Sequence, residues 1–284
     1  TNLAAFLNMQ VQRGDTSAFA GKHYVFTGNP GTGKTTVARI MADVFMSLGI
    51  LSKGQLVEAD RSKLVAGFAG QTSIKTNQLI DTAMGGLLFI DEAYTLQTGD
   101  NDFFGKEALD TLLKRLEDDR GKCIWSVAGY TREMHDFIDS NPGLKSRFTQ
   151  SIHFEDYQPE ELSEIFFHLA DGKNFILSDQ TKSAVKHAFE LMYVSRDKNF
   201  GNAREARKFF DRVVERQSRR LMSLINKPGF AQDMMFEILP EDLQAEEMAK
   251  PKSLDEVMSE LDDFVGMKSV KESIRRLAVQ AVFM

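Results

Sequence analysis

Gly28-Asn29-Pro30-Gly31-Thr32-Gly33-Lys34-Thr35 stands between a β-type run, His23-Tyr24-Val25-Phe26-Thr27, and a helical run from Thr36 to Leu48. The pattern is G-x-x-x-x-G-K-T, in the strand, loop and helix setting that a phosphate loop requires. Gly28, Gly31 and Gly33 let successive backbone N–H groups turn inward on a phosphate chain, and the helix that follows adds its positive dipole end. Asn29, Pro30, Gly31, Thr32, Gly33, Lys34, Thr35 and Thr36 are therefore the expected contacts of a nucleotide, ATP, with Lys34 reaching its β- and γ-phosphates. Thr35 is a candidate Mg²⁺ ligand, because a hard cation bridging phosphates takes oxygen donors.

A second acidic site completes the chemistry. Gly85-Gly86-Leu87-Leu88-Phe89-Ile90 is a short apolar run suited to a buried parallel strand, and it ends in Asp91-Glu92. Carboxylates at the C-terminal end of such a strand face the crevice where open α/β sheets bind ligands. Asp91 is expected to support the Mg²⁺ shell and Glu92 to act as general base on the attacking water. The plainer alternative for this pair is an acidic N-cap of the next helix.

Length and charge bound the rest. A chain of 284 residues favours about two domains. With 35 basic against 41 acidic residues, the net charge of −6 argues against non-specific nucleic-acid binding, which needs a basic stripe. The single cysteine, Cys123, lies in the apolar run Cys123-Ile124-Trp125-Ser126-Val127-Ala128 and reads as core. It allows no internal disulfide, which places the expectation in a reducing, cytoplasmic compartment. No run approaches the roughly 20 apolar residues a bilayer needs, and no secretory signal pattern opens the chain. His23, His135, His153, His168 and His187 show no zinc-ligand spacing, so no structural metal is expected.

Four runs read as parallel strands, Tyr24 to Thr27, Leu56 to Ala59, Leu87 to Ile90 and Ile124 to Ala128, with Ile152 to Phe154 as a fifth. Between them, Thr36 to Leu48, Thr72 to Met84 and Glu107 to Glu117 carry apolar residues at helical spacing. After Pro159 the pattern predicts helix only, in Glu160 to Ala170, Asp179 to Tyr193 and Asn202 to Ile225. The fold class is thus α/β: a P-loop NTPase with a parallel sheet flanked by helices, followed by a small all-helical domain. The expected division is 1–158, 159–243 and a remainder, 244–284, that opens on the polar linker Ala245 to Lys252.

The order of phosphate loop, acidic strand end, Asn141-Pro142-Gly143-Leu144-Lys145-Ser146-Arg147-Phe148 and Gly201-Asn202-Ala203-Arg204 resembles an AAA+ ATPase. Phe89-Ile90-Asp91-Glu92-Ala93-Tyr94, Ala128-Gly129-Tyr130 and Gly-Asn-Ala-Arg are similar to the branch containing CbbX, the red-type Rubisco activase, and stage V sporulation protein K. The resemblance covers about 20 to 243 and implies that the helical domain is an AAA+ lid. It also implies that Arg147 is the arginine finger, reaching a neighbouring subunit's γ-phosphate, and that Arg204 is sensor 2, binding nucleotide from the lid. Arg207 either shares that role or is solvated. One departure stands out: Gly129 and Tyr130 occupy the place where most of the superfamily has an Asn, sensor 1. The Tyr130 hydroxyl could donate a hydrogen bond, or its ring could only pack.

Phe68, in Leu64-Val65-Ala66-Gly67-Phe68-Ala69-Gly70-Gln71-Thr72, matches the pore-loop aromatic that grips an extended peptide; the alternative is a buried anchor for the loop. Asp262 to Lys271 resembles the Val-Gly segment that precedes an AAA+ module, and Asn2-Leu3-Ala4-Ala5 can be laid on Arg276-Leu277-Ala278-Val279. These ends suggest a segment of a tandem array, with the next module starting near its C-terminus. The functional expectation is ATP hydrolysis that remodels a protein substrate, with neighbouring AAA+ subunits or modules as partners. The alternatives are an ATP-gated assembly scaffold and, more weakly, a nucleic-acid motor or loader.

Overall fold

Alternation along the strands builds two cores on opposite faces of one sheet. Leu88 and Ile90 pack with Val25, Trp125 and Val127 on one face, whereas Leu87 and Phe89 pack with Phe26, Ile124 and Ala128 on the other. Every strand residue from Leu87 to Ile90 is buried, as expected of a strand covered on both sides. In this computed structural model, residues 22–243 are described apart from 69, 98, 100, 198–199 and 226–229, together with 268 and 271–276. The expectations for the first residues, the linker and a following module fall outside the described residues, except that 271–276 are helical.

The strands are β1 (Tyr24–Gly28), β2 (Leu56–Ala59), β3 (Leu87–Ile90), β4 (Ile124–Gly129) and β5 (Gln150–Phe154). They form a five-stranded parallel sheet in the order β2-β3-β4-β1-β5. β1 lies between β4 and β5, so the chain leaving it must cross to the far edge at β2. That crossing creates a switch in strand order beside the C-terminal end of β1, where α/β sheets hold ligands.

Helix α1 (Lys34–Ser47) covers the Phe26 and Phe89 face through Ala38, Ala42 and Phe45, a stripe at helical spacing. Short α2 (Arg61–Leu64) is followed by α3 (Thr72–Ala83) and α4 (Phe103–Asp118). α3 and α4 cover the opposite face, joined there by α5 (Thr131–Asp139) and α6 (Pro142–Arg147) through Met134, Phe137 and Leu144. The sequence pattern predicts none of α2, α5 and α6. Each is shorter than ten residues, too few for a 3.6-residue period to declare itself, and α2 and α6 are set by caps. Asp60 accepts from the Lys63 N–H, and Asn141 accepts from the Gly143 N–H with Pro142 at the first helical position. α4 starts four residues earlier than the sequence pattern suggests, because the Asp102 carboxylate caps the Gly105 N–H at 2.9 Å.

The chain divides into two compact units, one holding residues up to Tyr157 with Lys198–Glu205, the other holding Gln158–Asp197 and the chain from Ala206 on. Residues 200–205 group with the sheet in this division. The second unit contains α7 (Pro159–Asp171), α8 (Asp179–Val194) and most of α9 (Ala203–Met222). Its core is aromatic: Phe166 meets Phe189, Phe209 and Phe210 at ring centroid distances of 6.3, 5.5 and 5.3 Å. It is not helix only. β6 (Ile176–Leu177) and β7 (Glu237–Ile238) pair in parallel, and the Thr181 hydroxyl on α8 ties down the Ile238 carbonyl. Two-residue strands carry no alternation, so the sequence pattern had nothing to show. No described helix is long and apolar enough to cross a membrane.

Candidate active site

The loop from Gly28 to Lys34 leaves β1 at its C-terminal end and turns directly into α1. Two glycines make that path possible. Gly31 has φ of 74°, and a Cβ there would lie 2.1 Å from the Gly201 carbonyl oxygen. Gly33, at φ 92°, opens α1 as its N-cap with no side-chain cap, and the first turn of α1 carries no acidic residue. Helix N-terminal N–H groups without a capping side chain are a seat for an anion. Inside the loop, the Thr32 hydroxyl donates to the Asn29 carbonyl at 2.8 Å, which closes the turn.

Lys34 folds back over the loop, its Nζ donating to the Gly28 and Asn29 carbonyls at 2.9 Å each. Burial holds its ammonium below the usual lysine range; the Arg204 charge pushes the same way, while Asp91 and Glu92 oppose them. This places Lys34, Asp91, Glu92 and Arg204, though not Arg147, within one electrostatic neighbourhood. Thr35 is half-buried in the first turn of α1 and Thr36 is exposed. Pro30 and Asn29 face another way: the Asn29 amide donates to both oxygens of Asp156, and the Pro30 carbonyl accepts from Asn202.

Asp91 directly follows β3, and its N–H donates to the Ala59 carbonyl at the end of β2, so the sheet itself carries it to the crevice. Glu92 then takes φ of 48°, a left-handed conformation that is uncommon outside glycine. The turn is held by Thr95, whose N–H and hydroxyl both donate to the Glu92 carbonyl. The Glu92 carboxylate stays exposed. Backbone strain of this kind concentrates at functional sites. The N-cap alternative does not hold for Glu92, which opens the 3₁₀ turn Ala93–Leu96 with no side-chain cap.

The departure at Gly129 has a steric cause. The ring of Tyr94 lies against it so closely that a Cβ at 129 would stand 2.7 Å from two ring carbons. Tyr130 stands at the N-cap position of α5 with no side-chain cap, and its ring lies 6.3 Å from that of Tyr94. Burial, then the Glu92 carboxylate, push the Tyr94 hydroxyl up to about 12. Arg147 is held on the α4 and α6 side, donating to the Gly143 carbonyl at 3.1 Å and to Glu117 at 3.0 Å. Arg204 is exposed at the start of α9, and Arg207 is exposed one turn on. Phe68 is 72% exposed, which removes the buried-anchor alternative for its loop. Cys123 is buried, and burial pushes its thiol up to about 12, as a core cysteine requires.

Asn202, Asp156, Tyr94 and Glu117 are contacts that sequence reasoning did not assign. For Asn202 a signal existed: a Gly-Asn pair just before a helical run marks a left-handed turn.

Comparison with known proteins agrees with the fold. Residues 24–156 match the model of the ATPase family associated with various cellular activities (AAA), and residues 158–253 match that of the AAA lid domain. The chain belongs to the AAA+ family of ATPases. Stage V sporulation protein K of Bacillus subtilis is 41% identical over 222 residues, covering 77% of this chain and 69% of that protein. CbbX of Cereibacter sphaeroides is 40% identical over 229 residues, covering 80% and 73%. ESX-1 secretion system protein EccA1 of Mycobacterium tuberculosis is 38% identical over 244 residues; the match covers 83% of this AAA+ ATPase but only 43% of EccA1. Among solved structures, the FIGL-1 AAA domain in complex with ADP superposes with a TM-score of 0.60 at 16% identity, covering 92% of this chain and 86% of that one. The Thermotoga maritima RuvB Holliday junction branch migration motor gives 0.55 at 19% identity, covering 87% and 66%. At such identities the structures speak for the fold alone.

The donor set fits a magnesium nucleotide. An uncapped helix N-terminus, a loop turned through left-handed glycines at 31 and 33, and a lysine bent over that loop suit a polyphosphate. The Thr35 hydroxyl and the Asp91 carboxylate are oxygen donors of the kind a hard cation takes.

Proposed function

We propose that this AAA+ ATPase hydrolyses ATP between the phosphate loop and the β3 terminus and uses the cycle to remodel a protein substrate. The observation that supports it most directly is Lys34, placed on an uncapped helix start and within electrostatic reach of Asp91, Glu92 and Arg204. ATP with Mg²⁺ supplies the anhydride to be broken and much of the charge neutralisation. The loop N–H groups and Lys34 would bind and orient the phosphates, and Thr35 and Asp91 would hold the cation. Glu92, carried on its left-handed turn at the mouth of the crevice, takes the proton of the attacking water.

Arg147 acts in an assembly. In a single chain it is bonded to Glu117 and Gly143, so reaching a neighbour's phosphate means exchanging those partners. Exposed Phe68 offers an apolar ring to an extended peptide. The remodelled protein, the ring or tandem partners and a cytoplasmic setting belong to the same proposal.

Calorimetric ATP titration of a folded Lys34→Ala protein is the first test, and an affinity equal to the parent's would overturn the site. Glu92→Gln should keep ATP binding and lose about 10²–10⁴-fold in turnover. It should also enlarge in particle mass on adding ATP, whereas constant mass would remove assembly through Arg147. Full biological function in Glu92→Gln would favour the nucleotide-gated scaffold.

A further inference from the structure

Asn202 is completely buried, at φ 49° in the turn that leads into α9. Its amide nitrogen donates to Asp156 at 2.8 Å, to the Phe200 carbonyl at 3.1 Å and to the Pro30 carbonyl at 3.3 Å. Its carbonyl oxygen accepts the Tyr157 N–H at 2.9 Å. Asn29, in the phosphate loop, donates to both oxygens of the same Asp156 carboxylate at 3.0 and 3.1 Å. Close by, the Ala203 N–H donates to the Gly31 carbonyl, and the Gly31 Cα is pressed against the Gly201 carbonyl. Three segments far apart in sequence therefore meet at one amide: the phosphate loop, the residues after β5, and the turn that carries Arg204. Tyr157 and Glu205 are the last residues of the α/β unit before the chain passes to the helical unit.

A buried amide with both ends bonded is costly to disturb, because each partner left unpaired is itself buried or partly buried. Such a group specifies one geometry rather than adding bulk stability. The geometry it specifies here sets Arg204, two residues on, relative to Lys34, whose ammonium feels the Arg204 charge.

We infer that Asn202 is a positioning residue: with Asp156 it locks the Gly201–Arg204 turn onto the crown of the phosphate loop, so that Arg204 and the loop meet the nucleotide as one piece. Asn202 touches no reacting atom in this scheme and works through Arg204. The inference rests on the phosphate loop being the ATP site.

The test is a double-mutant cycle on the full chain, with Asn202→Gly and Arg204→Ala alone and together. Glycine accepts φ near 50° without strain, so Asn202→Gly removes the side-chain bonds and spares the backbone. Affinity for ATP, kcat and KM are measured on all four proteins, with urea unfolding of each. Asn202→Gly should lower kcat/KM about tenfold or more, and Arg204→Ala, costly in the parent, should then cost less than about twofold further. Effects that multiply, or an Asn202→Gly protein that matches the parent in turnover while only losing stability, would overturn the inference. Should Asn202→Gly not fold, Asp156→Asn takes its place, since an amide there cannot accept from both asparagines through two oxygens, and the same criterion applies. Lys34→Ala separates the two readings. If it keeps full ATP affinity, the site falls and the inference with it; if it loses binding while the cycle is multiplicative, only the positioning role falls.

Discussion

Replacing Gly31 by alanine isolates the seat of the phosphate loop. A left-handed residue other than glycine costs about 1–2 kcal/mol. At φ 74° the new methyl carbon would also stand 2.1 Å from the Gly201 oxygen. Relieving that overlap means moving one of two backbones by about 1 Å, in the range where overpacking costs about 1–3 kcal/mol. Gly31→Ala should therefore destabilise by about 2–5 kcal/mol in total. Gly49 provides the control, since it has φ of 71° with nothing within 4 Å of an added Cβ. Gly49→Ala should show the conformational cost alone, about 1–2 kcal/mol. Urea unfolding of both variants gives the difference, and each kcal/mol corresponds to about 2–4 °C in Tm for a unit of this size. ATP titration supplies the functional half: Gly31→Ala should lose affinity and Gly49→Ala should not. A Gly31→Ala protein as stable as Gly49→Ala and with the parent's ATP affinity would refute the packed crown.

Acid should act through His23, which is buried, accepts the backbone N–H of Trp125 at 3.2 Å, and is lowered to about 4 by desolvation, with Arg147 and Arg120 pushing the same way. Below its ordinary value near 6.5 the unfolded chain binds a proton that the fold refuses, so stability falls with pH between about 6.5 and 4 by an amount on the order of 3 kcal/mol. Urea unfolding from pH 7 to 4 should show a slope that His23→Gln flattens; an unchanged slope would be contrary. Gly129→Ala should cost about 1–3 kcal/mol through its clash with Tyr94, and Tyr94→Ala in the same chain should recover part of it. Additive losses in that cycle would exclude the contact. Asp242, 2% exposed, accepts from Arg220 Nε and Nη2 at 2.8 Å each and from the Leu239 N–H at 2.9 Å. Asp242→Ala should therefore destabilise the helical unit by about 3–5 kcal/mol, read as loss of helical circular dichroism in urea, and a loss below about 1 kcal/mol would contradict the buried pair.

Much of the site is local in sequence and for that reason legible there. A phosphate loop is eight consecutive residues, and the strand that delivers Asp91 and Glu92 announces itself as an apolar run cut by charge. Helices of twelve residues or more showed their period, whereas α2, α5 and α6 were too short to do so. The Tyr94 and Gly129 contact was not legible, because a glycine read alone does not say which ring lies against it.

The pattern of residues by itself determined a phosphate-loop motif, an acidic strand end and a parallel sheet, because each depends on neighbours along the chain: backbone freedom at glycine, alternation in a strand, period in a helix. The folded molecule alone decided what Asn202 and Arg147 hold. Pro30 and Asn202 are 172 residues apart, and Arg147 and Glu117 are 30 apart. A hydrogen bond depends on separation in space, and no spacing along the chain records which distant partner folding will bring within reach.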